Sequence, residues 1–174
     1  DLIWSVNVAE DAKTEHSGWG YCASPLISDN LLIIAAVGKL MAYDIETGNL
    51  IWEGNDYGDG YSSPHFYTSR DKTQILLMSA GGLVSVNPAD GKELWKYEWE
   101  VDSRIVQPAF CENGDIIITH SSGESFKRLS LSENGVKEVW STKSMRVNFN
   151  DMVIHKGHAY GYEGMKLVCV DLKD

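Results

Sequence analysis

The sequence has few of the residues on which several common functions depend. Its 174 residues include 15 lysines and arginines against 25 aspartates and glutamates, so the formal net charge is −10. Because phosphate binding needs clustered cations, this charge argues against a nucleic-acid partner. No apolar stretch approaches the roughly 20 residues of a membrane-spanning helix, so no membrane span is predicted. Helical periodicity is also hard to find, which favours an all-β chain.

Cysteine and the common catalytic motifs are equally scarce. Cys22, Cys111 and Cys169 form no CxxC pair, and each falls in or beside a predicted strand, where cysteine usually acts as a small hydrophobe. The histidines show no HExxH spacing, no serine lies in a GxSxG turn, and no glycine-rich phosphate loop follows a strand. The sequence therefore predicts no catalytic residue, no cofactor-binding residue and no metal ligand.

The chain does contain a segment that recurs four times. Each copy is a strand ending in a carboxylate or amide, a tight turn, and a tryptophan on the next strand. The copies run over Ala42 to Trp52, Ser85 to Trp95, Asn134 to Trp140, and, split between the two ends of the chain, Cys169 to Asp174 and Asp1 to Trp4. Within them we expect structural roles for Asp44, Gly48, Trp52, Asn87, Gly91, Trp95, Trp140, Asp171 and Trp4.

Two further strands precede each turn, one after a small-residue–proline pair and one formed by a short apolar run such as Leu31 to Ala35. Four strands in a period of about 43 residues are typical of a β-propeller blade. The predicted fold is an all-β propeller of four-stranded antiparallel blades with four repeats. The predicted blades span 9–54, 55–99, 100–143 and 144–174, with residues 1–8 as an outer strand.

The pattern Ala-x-Asp-x-x-Thr-Gly-x-x-x-Trp at Ala42 to Trp52 resembles the tryptophan-docking motif of the quinoprotein-type β-propellers, named after pyrroloquinoline quinone. Partial copies extend the resemblance over the whole chain. Such repeats build quinone-dependent alcohol dehydrogenases, the propeller lipoprotein of the outer-membrane barrel assembly machinery, and many bacterial proteins of unknown role. The resemblance implies an extracytoplasmic location, in the periplasm or cell envelope.

The resemblance also supplies a test for a quinone site. In the dehydrogenases the quinone lies between a tryptophan and a disulfide of two adjacent cysteines, beside a calcium ion held by Glu, Asn and Asp. This sequence has no adjacent cysteines, so no cofactor is expected. The polar run Asn148 to Asp151 is interpreted as a turn. Two functions stay open: a non-catalytic binding or scaffold propeller, and a fragment of a quinone-dependent alcohol or sugar dehydrogenase whose cofactor site is absent or incomplete.

Segments that lead into the innermost strands of a propeller surround its central channel, and here they are rich in aromatic and polar side chains. They suit a small polar ligand, a sugar or a peptide segment of a protein partner; alternatively, the rings only fill the junctions between blades. Addition of a peptide to an outer strand edge is another route to a partner. The expected ligand surface comprises Trp19, Tyr21, Tyr57, Tyr61, Arg104, Gln107, Arg146 and Asn148.

Three arrangements could complete the fourth blade: the chain's own residues 1–8, a second chain, or a longer parent protein. Because four-bladed rings strain blade packing, an eight-bladed ring is favoured, including one formed by a homodimer.

Trp52 and Trp95 are expected to be buried between blades. Asp44 is expected to be structural, because its equivalents recur in other repeats.

Overall fold

The computed structural model describes residues 1–15, 18–100, 105–120, 125–133 and 135–173. They form four antiparallel sheets that follow one another along the chain. Sheet 1 contains β1 (Leu26–Ser28), β2 (Leu31–Ala36), β3 (Lys39–Asp44) and β4 (Leu50–Asp56). Sheet 2 contains β5 (His65–Ser69), β6 (Lys72–Ser79), β7 (Gly82–Val86) and β8 (Glu93–Glu98). Sheet 3 contains β9 (Ala109–Phe110), β10 (Ile116–Thr119), β11 (Phe126–Ser132) and β12 (Gly135–Thr142), and sheet 4 contains β13 (Val153–His155), β14 (His158–Glu163) and β15 (Lys166–Asp171).

Strand order within every sheet equals chain order, so each strand pairs antiparallel with its neighbour in the sequence. The prediction of an all-β chain of antiparallel sheets is confirmed. Sheets 1 to 3 have four strands each, and sheet 4 has three among the described residues. In the part of the chain that the structure describes, no helix is long and apolar enough to cross a membrane.

The N-terminal segment differs from its expected structure. Residues 1–8, expected as an outer strand, do not form one: residues 1–7 lie in no strand, and Val8 begins the short helix α1 (Val8–Ala12). The reason lies in packing: Val6, Val8 and Ala12 cover buried side chains on the outer face of sheet 1, among them Met41 and Tyr43. From Val6 onward the segment therefore gains apolar contacts from sheet 1, whereas Leu2 and Ile3 are exposed.

The core consists of three layers of side chains between successive sheets. Strand β6 shows how the layers are built: Ile75 and Leu77 pack with sheet 1, whereas Leu76 and Met78 pack with sheet 3. Because alternate side chains point to opposite faces, a strand covered on both sides is apolar throughout. A third layer joins the two last sheets, with Phe126 in β11 packed in the same cluster as Ala159 in β14.

The outer face of sheet 4 is not covered by any described residue. Cross-strand pairs place Tyr160 beside Val153 and Tyr162 beside Leu167 on this face. Val153 is 66% exposed and Leu167 is 68% exposed. Apolar side chains that line up on one sheet face usually mark a contact surface.

Candidate binding pocket

Tryptophan side chains fix the position of one sheet against the turn of the next. The indole of Trp52, in β4, lies over Gly91 and donates a hydrogen bond from Nε1 to the carbonyl of Pro88 at 3.1 Å. Trp4 lies over Gly48 in the same way and donates to the carbonyl of Ile45 at 3.0 Å. A Cβ atom would come within 2.7 Å of the Trp4 ring at Gly48 and within 2.5 Å of the Trp52 ring at Gly91, so only glycine fits these positions.

The two later tryptophans make different contacts. Trp95 is half-buried rather than buried as expected, and its Nε1 donates to Gln74 Oε1 of its own sheet at 2.8 Å. Gln74 is itself buried and also accepts from Ser85 Oγ, so both donors share one acceptor within sheet 2. Trp140 packs against the Phe126 ring with centroids 5.7 Å apart. Its copy of the motif includes Asn134, which lies outside the described residues.

Asp44 and its equivalents hydrogen-bond the backbone of their own turns. Asp44 Oδ1 accepts from the Thr47 hydroxyl and backbone N–H, both at 2.8 Å, and from the Glu46 N–H at 3.1 Å. These bonds, that from the Thr47 hydroxyl first, hold the pKa of Asp44 below its usual value. Asn87 and Asp171 each accept one backbone N–H two residues further on, at 3.0 Å. These contacts assign the three side chains to the geometry of the turn.

The candidate site lies where four chain segments converge. We call them the inner segments: residues 18–25, 57–64, 105–108 and 145–152, which lead into β1, β5, β9 and β13 respectively. Between them is a pocket with a volume of about 460 Å³, within the range of roughly 300–1,000 Å³ common for small-ligand sites. It is lined by Trp19, Cys22, Ser24, Tyr61, Ser63, Ile105, Gln107, Phe149 and Asp151.

Hydrogen bonds join the inner segments in sequence. The Ser24 N–H donates to Ser63 Oγ at 2.8 Å, and the Ser63 N–H donates to Gln107 Oε1 at 3.0 Å. The Gln107 N–H in turn donates to Asp151 Oδ1 at 2.9 Å. Each bond links one sheet's inner segment to that of the following sheet, and in each a side-chain oxygen accepts from a backbone N–H. The polar side of the pocket is therefore fixed by the backbone.

Three aromatic rings form the other side of the pocket. The Trp19 ring lies 5.0 Å from the Tyr61 ring and 6.3 Å from the Phe149 ring, measured between centroids. Trp19 is 63% exposed and Phe149 is 65% exposed, so large apolar surfaces face the solvent here. Exposed, rigid aromatic rings beside fixed polar groups are typical of binding sites.

The structure places the eight residues of the expected ligand surface in different environments. Trp19, Tyr61 and Gln107 line the pocket. Tyr21 and Asn148 are exposed on inner segments, Tyr57 is buried, and Arg146 forms an ion pair with Glu163 at 3.7 Å. Arg104 lies outside the described residues.

Sequence reasoning missed six of the nine residues that line the pocket, among them Phe149 and Asp151. Both belong to the polar run Asn148 to Asp151, which was interpreted as a turn. The position of this run in its repeat could have indicated a pocket role. In the other repeats, the same position is occupied by the residues that lead into the first strand of the sheet. The acceptor role of Asp151 toward Gln107 could not be read from the sequence, because the two residues are 44 positions apart.

The pocket does not fit the quinone and calcium of the dehydrogenases. One cysteine, Cys22, lines it, and all three cysteines are free. Within the described ranges, no group of three histidine, cysteine, aspartate or glutamate side chains could hold a metal ion. The polar side chains between the inner segments offer one hydroxyl, one amide and one carboxylate, from Ser63, Gln107 and Asp151, and each accepts a backbone N–H. We therefore derive no redox chemistry for this site.

Four consecutive antiparallel sheets around a shared inner pocket define the class of protein: a repeat β-propeller of the pyrroloquinoline-quinone type. The family model described as outer membrane protein assembly factor BamB matches residues 1–174, and the chain belongs to that family.

Solved structures share the fold. The crystal structure of BamB from Moraxella catarrhalis has a TM-score of 0.63 and 15% sequence identity, and the match covers 88% of this chain and 50% of that one. This chain thus spans about half the length of that protein. The crystal structure of the computationally designed Ika4 protein has a TM-score of 0.64 and 15% identity, covering 88% of this chain and 94% of the designed one. A comparison with curated protein sequences gives no match.

Proposed function

We propose that this chain is a non-catalytic binding propeller of the cell envelope that holds a polar ligand or a protein segment in the pocket between its inner segments. The observation that carries the proposal is that the corresponding segments of all four sheets converge on one pocket. A ligand there contacts every sheet, so the fold itself positions the binding groups. The family description, outer membrane protein assembly factor, supports both the envelope location and a protein partner.

The exposure of the aromatic rings supports binding rather than packing. Trp19 and Phe149 leave most of their surface in water, although both have a neighbouring ring. Large exposed rings are unfavourable in a surface without a partner and are common among residues that dominate binding energy. Tyr57, in contrast, is buried and fills a junction between sheets 1 and 2.

The pocket function can be tested by nuclear magnetic resonance with small probes. The panel comprises N-acetylated amino-acid amides of basic, acidic, aromatic and neutral type, together with maltose. We expect saturable shifts of the Trp19 indole N–H, identified by its loss in Trp19→Phe, with at least one probe. Phe149→Ala should weaken that binding, and Leu94→Ala, a change of an exposed apolar side chain in the last strand of sheet 2, should not.

Other results would contradict the proposed binding function. If no probe shifts the Trp19 signal, or if Leu94→Ala weakens binding as much as Phe149→Ala, the pocket is not the binding site. The alternative, a fragment of a quinone-dependent dehydrogenase, is tested by incubation with pyrroloquinoline quinone and calcium. A bound chromophore with dye-linked alcohol oxidation would support it and overturn the non-catalytic proposal.

We further propose that the chain forms half of an eight-bladed ring, completed by a second copy. In sheet 4 the place of a fourth strand, filled by β4, β8 and β12 in the other sheets, is taken by no described residue. Trp4 contacts the sheet 1 turn as Trp52 of β4 contacts the sheet 2 turn. Residues 1–7 thus lie beside sheet 1 where the fourth strand of a preceding sheet would lie, and in a dimer that sheet is sheet 4 of the partner copy.

Light scattering tests this assembly. We expect a particle of twice the 19.4 kDa mass of one chain, and a strictly monomeric, cooperatively folded species would overturn the dimer. The 50% coverage of the BamB structure supports a ring of about twice this chain's content.

A further inference from the structure

The charge of the pocket narrows the class of ligand. Among the nine described residues that line it, Asp151 is the one acidic residue, and none of the nine is a lysine or arginine. Its Oδ1 accepts from the Gln107 N–H, which fixes the carboxylate at the edge of the pocket. A carboxylate has about four acceptor positions, so one bond from the backbone leaves it able to bind a further donor.

The aromatic rings, like the carboxylate, favour a positively charged ligand. The faces of Trp, Tyr and Phe rings carry negative potential and attract cations, tryptophan most strongly. Trp19 has two further rings within 6.3 Å, Tyr61 and Phe149, so a cation at Trp19 is close to three rings. Each ring alone attracts a cation weakly, but three rings and one carboxylate act on the same small volume.

Resting on the proposed binding function, we propose that the pocket binds an arginine side chain of a partner peptide. A guanidinium group is planar, stacks on aromatic faces and donates hydrogen bonds to a carboxylate at its edge, which matches Trp19 and Asp151. A compact ammonium group would use the carboxylate but not the stacking surface. The net charge of −10 adds a long-range attraction for basic peptides.

The test compares N-acetyl-arginine amide with N-acetyl-citrulline amide. Citrulline keeps the length and planarity of arginine and replaces the charged guanidinium by a neutral urea. We expect the arginine probe to shift the Trp19 indole N–H signal saturably and to bind at least fivefold more tightly than the citrulline probe. Raising the salt concentration from 20 to 300 mM should narrow that difference, because it rests on charge.

Variants of two carboxylates identify the contribution of Asp151. Asp151→Asn retains a side-chain oxygen that can accept from the Gln107 N–H, so the pocket edge is preserved. We expect it to weaken arginine binding at least fivefold and to leave citrulline binding unchanged. Asp59→Asn is the matched control, because Asp59 is an exposed carboxylate on another inner segment that likewise accepts one backbone N–H, from Gly60 at 2.8 Å.

The outcomes separate this inference from the function on which it rests. If arginine and citrulline bind equally, if maltose or a neutral probe binds and arginine does not, or if Asp59→Asn has the effect expected of Asp151→Asn, the arginine inference is overturned. In the first two cases pocket binding itself stands. If no probe perturbs Trp19, both the inference and the proposed function fail.

Discussion

Trp52 combines the two requirements of a large aromatic ring at a sheet junction. Its ring is packed over a glycine, and its only polar atom has an acceptor in the next sheet. Trp19 has the opposite surroundings, since most of its ring is in water. The same residue type therefore stabilises the fold at one position and is available for binding at the other.

Replacement of these tryptophans should separate the two roles. We expect Trp52→Ala to lower the free energy of unfolding by about 3–5 kcal/mol, the usual range for emptying a large buried aromatic site. Trp19→Ala is the matched control and should change it by less than about 1 kcal/mol. Urea unfolding followed by circular dichroism measures both. Equal small effects would mean that Trp52 does not hold sheets 1 and 2 together.

Glu138 gives the stability a defined dependence on pH. It accepts from Lys127 Nζ at 2.6 Å and from the Tyr97 hydroxyl at 2.5 Å, so it joins sheets 2 and 3. The bond from Lys127, followed by that from Tyr97, lowers the pKa of Glu138 from 4.5 to about 2. Because this folded-state pKa is depressed, the stabilisation is present above pH 4.5 and is lost as the pH falls toward 2.

The variant Glu138→Gln tests this dependence. At pH 7 we expect the wild type to be more stable by about 1 kcal/mol, since the pair is partly exposed to solvent and screened. The difference should shrink as the pH falls from 4.5 and vanish near pH 2. Unfolding by urea at pH 7, 4 and 2.5 measures it, and a difference that is constant across this range would contradict the assigned cause.

The sequence was informative at residue scale where a contact is local in the chain. Asp44 and its turn are separated by two or three positions, so their hydrogen bonds follow from turn chemistry alone. Trp95 could not be placed in this way, because its acceptor Gln74 lies 21 positions away on a strand of the same sheet. Which acceptor a side chain reaches depends on strand register, and register is set by packing.

At the scale of the elements, a partly buried arginine joins sheets 3 and 4. Arg128 of β11 donates from Nε to Asp115 Oδ2 at 2.6 Å and from Nη1 to the carbonyl of Leu172, just after β15, at 2.6 Å. Both side chains of the ion pair are largely shielded from water. Removing one partner of such an ion pair lowers the stability of the fold strongly, because the other charge then stays shielded from water without a counter-charge.

We expect Arg128→Met to lower the free energy of unfolding by roughly 2–4 kcal/mol, because it leaves Asp115 without its cation. Arg70→Met is the matched control: Arg70 pairs with Glu133 at 3.1 Å, but both side chains are well exposed, and the change should cost less than about 1 kcal/mol. Urea unfolding of both variants measures the two changes in the free energy of unfolding. Equal effects would show that the link to Leu172 contributes nothing to the joint between the sheets.

The strands themselves could be predicted well from the sequence, because each combines a period-two or fully apolar pattern with a turn signal at its end. The N-terminal segment could not. Its pattern suits a strand, but forming one requires a neighbouring strand; Val6 packs on the face of sheet 1 instead, and Leu2 and Ile3 are exposed. A sequence pattern indicates which secondary structure a segment can form, and tertiary packing determines which structure it adopts.

At the scale of the whole molecule, the two end sheets differ in how they are covered. The outer face of sheet 1 lies under residues 6–12, whereas Leu167 and Tyr162 on the outer face of sheet 4 are exposed. If a second copy covers this face, a charge there should prevent association. We expect Leu167→Glu to give a stable monomer by light scattering. Leu94→Glu, a matched change at another exposed leucine in sheet 2, should leave the dimer intact.

A monomer from both variants would indicate general destabilisation rather than an interface, and an unchanged mass for Leu167→Glu would exclude this face from the contact. Circular dichroism melts of both proteins supply the control for folding. The arrangement of the sheets could be only partly predicted from the sequence: the repeat indicates the strands of each sheet, but not what covers the outer face of the last one.

The hydrogen bonds between the inner segments have a consequence for how such a protein can change over evolutionary time. Each of the three bonds joins only consecutive sheets, at separations of 39, 44 and 44 residues. A duplicated sheet would therefore meet a neighbour that already carries the matching donor or acceptor, as in other chains whose units contact only their neighbours. In the proposed ring, duplication or loss of one unit would enlarge or narrow the central opening without requiring any new kind of contact. The diameter of the site is thus a quantity that gene duplication can adjust in steps, while its chemistry is altered separately by single substitutions at Trp19, Phe149 and Asp151.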